Sequence, residues 1–81
     1  HDLPRSKPHP DVYLAAAAHV GIHPGRCLVI EDTATGVQAG LAAGATVWGC
    51  CPAGHGRAFE GLAVERVFRH MDELAASLGM P

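Results

Sequence analysis

Between residues 27 and 48 the chain runs from an apolar segment, CLVI, through a helix pattern of small residues to a second apolar segment, ATVW. So short a strand-helix-strand succession implies two parallel strands joined by a right-handed crossover. The first segment is continuously apolar and rich in β-branched side chains, the pattern of a strand over 27–31 buried on both faces. The helix spans 34–43. Gly36, Ala39, Gly40 and Ala43 recur along it at i, i+3, i+4 and i+7, a stripe that lets a helix lie close against a sheet, and Gly44 closes it. The second strand occupies 45–48.

The flanking sequence extends this unit. Residues 1–9 read as extended chain or loop, because Pro4 and Pro8 prevent regular pairing. A helix is predicted over 10–20, with Pro10 and Asp11 in its first turn, Tyr13, Ala16, Ala17 and Val20 at helical spacing, and Gly21 as its stop. Pro24 and Gly25 make a turn. Residues 49–56 read as loop, followed by a short helix near 57–62, a strand over 65–68 and a last helix over 71–78 ended by Gly79. The fold class is α/β, part of a doubly wound, Rossmann-like parallel sheet flanked by helices, which begins here with a helix and not with a strand.

Composition narrows the function. Eighty-one residues allow one small domain or a piece of a larger one. Charged residues are 17%, low against the about 25% of a free-standing domain. Six basic residues against eight acidic ones leave no footprint for nucleic acid. No apolar run approaches the roughly 18 residues of a membrane span, and no signal-peptide core is visible. Cys27, Cys50 and Cys51 offer neither a CxxC pair nor a zinc spacing; Cys27 reads as a small core residue, the vicinal Cys50–Cys51 pair as structural in preference to redox-active, and a reducing cytoplasm fits.

Ligands of open parallel sheets bind at the carboxyl ends of strands, where Glu31 and Asp32 stand. Two adjacent, partly desolvated carboxylates favour a cation, and hard oxygen donors of this kind suit Mg²⁺. The competing reading has Asp32 capping the next helix and Glu31 solvated in the loop. Thr33 and Thr35 also read as capping groups. Lys7, the sole lysine, sits in a proline-braced segment that restricts where its ammonium points; beside the carboxylates it would suit a phosphate, and otherwise it is a surface lysine. His19 and His23 are four apart, but Gly21 breaks the helix between them and weakens a zinc pair; His55, in a Gly-rich loop, reads as solvated in preference to touching substrate.

The run KPHPDVYLAAA over 7–17, then GIHP over 21–24, then CLVIEDT with its Gly36–Val37 helix through 45, resembles the haloacid dehalogenase superfamily. The likeness is to its sugar-phosphatase and phosphoglucomutase branch, which includes phosphoglycolate phosphatase-like enzymes, and it covers residues 5–78. The resemblance implies that residues 1–81 are the C-terminal portion of a core domain lacking the first strands and the cap. It further implies that Lys7 holds the nucleophilic aspartate and the phosphate, that Asp32 binds Mg²⁺, and that Glu31 does so directly or through water. The family attacks phosphate with an Asp-x-Asp loop. Asp occurs here only at 2, 11, 32 and 72, so the nucleophile and the cap would belong to a missing N-terminal half. The expected parent is a Mg²⁺-dependent phosphatase that acts on a small phosphorylated metabolite, such as a sugar phosphate, through an aspartyl-phosphate; the 81 residues alone are expected to be inactive. The alternatives are a phosphomutase of the same family and a non-catalytic α/β module retaining a metal or phosphate site.

Overall fold

The computed structural model describes residues 5–51 and 59–79. Their order is α1 (Asp11–Val20), a short 3₁₀ turn (Pro24–Arg26), β1 (Leu28–Glu31), α2 (Ala34–Ala42), β2 (Thr46–Cys50), β3 (Arg66–Phe68) and α3 (Met71–Ser77). Three parallel strands form one sheet in the order β1-β2-β3. Val29 is opposite Val47 and Glu31 opposite Gly49, so these four share one face.

The helix ends follow from their residues. Pro10 caps α1 and Asp11 lies in its first turn, while Gly21 takes the left-handed conformation (φ 73°) that lets its N–H and that of Ile22 reach back to the last carbonyls. Thr33 caps α2: its hydroxyl accepts from Gly36 N at 3.1 Å. Of the candidate caps it is therefore Thr33, and not Asp32, that is used.

The core is Val29, Val37, Ala45, Val47, Cys51 and Phe59. Gly40 lets α2 approach the sheet, since a Cβ there would lie 2.7 Å from Val47 Cγ2 and 3.2 Å from Val29 Cγ1. Phe59 lies over Gly49 in the same way, with ring atoms 2.6 to 3.1 Å from where a Cβ would stand. That lid, together with the pairing of Cys50 to Phe68, keeps Gly49 and Cys50 in β2, two residues beyond the predicted end of the strand. The helix predicted near 57–62 starts outside the described residues; Phe59–Leu62 form a turn closed by Leu62 N to Phe59 O at 3.0 Å. His55 also lies outside the described residues.

Contrary to the expectation from its continuous apolar run, β1 is not buried on both faces: Val29 is buried, Ile30 is half-buried, and Leu28 is 39% exposed. Among the described residues no strand pairs with the other edge of β1. A cleft of about 370 Å³ lies there instead, between α1 and β1, lined by Tyr13, Ala17, Val20, Leu28, Ile30 and Glu31. The apolar stripe of α1 borders this space, so Val20 stays 62% exposed. No helix among the described residues is long and apolar enough to cross a membrane.

Candidate active site

At the carboxyl end of β1 three side chains from separate parts of the chain meet on one oxygen. Glu31 ends the strand with its side chain on the face of Val29, toward α2, and only 10% of it is exposed. Lys7 Nζ donates to Glu31 Oε2 at 2.7 Å, and the Tyr13 hydroxyl donates to the same oxygen. The Lys7 ammonium also lies 5.5 Å from the Tyr13 ring centre, within range of a cation–π contact. Thr33 Oγ1 stands 3.5 Å from Glu31 Oε1, at the limit of a hydrogen bond.

Local structure explains the convergence. Lys7 belongs to a turn closed by His9 N to Ser6 O at 3.0 Å, which leads through Pro10 into α1. The segment is held to the helix start by Arg5, whose Nε and Nη2 grip Asp11 at 3.0 Å each while its backbone N–H donates to the same carboxylate, also at 3.0 Å. Tyr13, on the first turn of α1, rests its half-buried ring against the core. Gly36 gives the carboxylate its room: a Cβ there would fall onto the Glu31 carboxyl and lie 2.9 Å from its Cγ.

The electrostatics follow. Burial pushes the Glu31 carboxyl up, but hydrogen bonds from Lys7 and Tyr13, together with the Lys7 charge, outweigh it and hold the group below the usual carboxylate range. The hydrogen bond to Glu31 raises Lys7 above its ordinary value. Burial and the Glu31 carboxylate raise Tyr13, so it stays a neutral donor at neutral pH. Asp32, the next residue, is solvent-exposed. The Lys7–Glu31 pair is neutral overall, which leaves Asp32 as the negative charge presented to solvent at this strand end.

Of the residues singled out from sequence, Lys7 and Glu31 come together and Asp32 stands beside them in the chain. The reading of Glu31 as solvated in the loop does not hold, because its carboxylate is enclosed. The donors fit a hard cation: Mg²⁺ takes one or two carboxylates with water and a phosphate, and Asp32 has the accessible one. Among the described residues no group of three or more His, Cys, Asp or Glu could hold a metal. His23 is committed elsewhere, its Nδ1 accepting from Gly25 N at 2.9 Å. The sequence pattern alone does not reveal the site roles of Tyr13, Gly36 and the Arg5–Asp11 clamp: Tyr13 reads only as a helix position at apolar spacing, and Gly36 only as part of the small-residue stripe.

Residues 1–44 match the family described as "Hydrolase: haloacid dehalogenase-like hydrolase". Hexitol phosphatase A of Escherichia coli is 51% identical over 43 residues, 53% of this chain and 20% of that protein. The crystal structure of a HAD family hydrolase from Deinococcus radiodurans, with bound phosphate and sodium, superposes with a TM-score of 0.84 at 50% identity, covering 93% of this chain and 35% of that one. A CbbY variant from Rhodobacter sphaeroides, in complex with xylulose-(1,5)bisphosphate, gives a TM-score of 0.76 at 28% identity over 89% of this chain and 32% of that one. The chain belongs to the haloacid dehalogenase-like hydrolase family, and its parallel sheet with flanking helices is part of that family's Rossmann-like fold. It spans between 20% and 35% of the length of these three proteins.

Proposed function

We propose that the protein carrying this chain is a Mg²⁺-dependent phosphatase acting on a small phosphorylated metabolite of the sugar or polyol phosphate class. The observation that carries the reading is the Lys7–Glu31 ion pair at the end of β1, with the exposed Asp32 adjacent. The phosphorylated compounds in the name of the hexitol phosphatase and in the complex of the CbbY variant support the substrate class.

In this reading the chain is the C-terminal portion of the core domain and supplies part of the machinery. Lys7 has three N–H donors; with one on Glu31, two remain for the phosphate and for the nucleophilic aspartate, which comes from outside this chain. Asp32 would hold Mg²⁺, with Glu31 behind it acting through water. When bound, the cation offsets charge on the transferring phosphoryl group. Glu31 keeps the Lys7 ammonium in place so that its charge meets the phosphate without a search through rotamers.

The test uses the full-length gene product and a panel of sugar and polyol phosphates, following release of inorganic phosphate. Lys7→Met and Asp32→Asn should each lower turnover by about 10²-fold or more, and Asp32→Asn should also raise the Mg²⁺ concentration needed for half-activity. Near-normal turnover in either variant would return that residue to a surface role. Phosphate release that does not respond to Mg²⁺ would overturn the metal assignment.

A further inference from the structure

We propose that Tyr13 is a positioning residue whose hydroxyl aims the Glu31 carboxylate and, through it, the Lys7 ammonium. The proposal rests on the functional reading of Lys7 given above. Its basis is that Glu31 Oε2 receives two donors from different places, Lys7 Nζ from the turn before α1 and the Tyr13 hydroxyl from α1 itself.

The three side chains differ in stiffness. Lys7 hangs on a flexible four-carbon stem and is 40% exposed, and Glu31 is itself a flexible side chain. Tyr13 has two side-chain torsions, and its ring is packed against the buried cluster formed by Val29, Val37 and their neighbours. It is the rigid member of the group. On the opposite side the missing Cβ of Gly36 gives the carboxylate a close-fitting seat. Hydroxyl and seat together fix where Oε2 stands, and Oε2 fixes where the ammonium stands.

A phenol donor is also the suitable one, because it adds no charge. A second cation in its place would compete with Lys7 for the carboxylate, whereas the neutral hydroxyl leaves the Lys7 charge available to an incoming anion. The ring face beside the ammonium adds a second restraint on the same group.

Tyr13→Phe separates the hydroxyl from the ring, since packing and the cation–π face are both retained. In the full-length protein the variant should stay folded under assay conditions, with a denaturant midpoint lowered only modestly at unchanged slope, while kcat falls about tenfold, the size expected for one lost hydrogen bond to a charged group. KM should stay within about twofold. The Lys7 Cε methylene resonance, identified by its loss in Lys7→Met, should shift and broaden in Tyr13→Phe. In a Glu31→Ala background, which removes the acceptor, the same substitution should cost nothing further, because its route of action is already gone. Wild-type kcat and an unchanged Lys7 resonance in Tyr13→Phe would overturn the proposal, as would a full additional loss in the Glu31→Ala background. Should the wild type release no phosphate from any substrate, the functional reading fails, and the resonance still decides whether Tyr13 positions Lys7.

Discussion

Replacing Gly36 by Ala sets two physical effects against each other, and their signs are opposite. Gly36 lies inside α2, where Ala is the better helix former by about 1 kcal/mol. Its conformation needs no glycine, so propensity alone makes the variant more stable. The Cβ, however, would occupy the space of the Glu31 carboxyl. Glu31 is flexible and would swing out, forfeiting its hydrogen bonds from Lys7 and Tyr13. Bonds to charged groups are each worth about 1.5–3 kcal/mol. Lys7 is 40% exposed and an expelled carboxylate is rehydrated, so each bond counts at or somewhat below the lower end, about 2–3 kcal/mol for the two. The net effect is a destabilisation of about 1–2 kcal/mol.

Urea denaturation of the full-length protein measures this as a shift in midpoint at constant slope. The sharper result is a double-mutant cycle. With Glu31 already truncated to Ala, Gly36→Ala has nothing left to displace and should stabilise by about 1 kcal/mol, a change of sign that only the geometry predicts. If Gly36→Ala alone stabilises the protein, or if its cost is the same with and without the Glu31 carboxyl, then that carboxyl does not sit over α2 and the site is not assembled as described.

Two further outcomes follow from the charges and from the sheet edge. Hydrogen bonds from Arg5 hold the Asp11 carboxyl at about 2 against an ordinary 3.8; a depressed folded value means that its contribution is complete above pH 3.8 and is lost as pH falls toward 2. Asp11→Asn should therefore flatten the stability profile across that window in acid unfolding, and an unchanged profile would remove the clamp from the account. The 81 residues expressed alone should self-associate, because among the described residues no strand pairs with the outer edge of β1, which borders an apolar cleft. A cooperatively unfolding monomer in sedimentation and circular dichroism would contradict that.

Much of this arrangement was legible because local rules and the tertiary fold agree. The continuous CLVI run supplies Leu28, Val29 and Ile30 of β1, the glycines at 21 and 79 stop helices at positive φ, and Gly44 follows α2 at positive φ. Three features were not legible, each for a physical reason. Gly49 and Cys50 precede a proline and read as loop, but the parallel pairing to β3 and the Phe59 ring over Gly49 impose strand geometry from a distance. The apolarity of Leu28 predicts burial, yet apolarity records a preference for cover, and one edge of β1 has no neighbouring strand among the described residues. The Tyr13–Glu31 bond joins residues 18 apart, and Tyr at a core-facing helix position is explained by packing alone until the partner of its hydroxyl is known.

The small-residue stripe of α2 links the core to the site. Gly36 and Gly40 are one turn apart on the face of α2 that meets the sheet, and the residues they meet, Glu31 and Val29, are two apart on the same face of β1. The helix can seat the Glu31 carboxylate at its first turn because Gly40, a turn later, allows contact with Val29 and Val47. A Cβ at Gly40 would lie 2.7 Å from Val47 and force the helix away from the sheet, which would withdraw the seat from Glu31 as well. Close packing in the core and the aim of the Lys7 ammonium are thus set by one helix-to-sheet distance. A substitution that only loosens the core along this stripe should reach the site through the backbone of α2, without touching Lys7, Tyr13 or Glu31 directly.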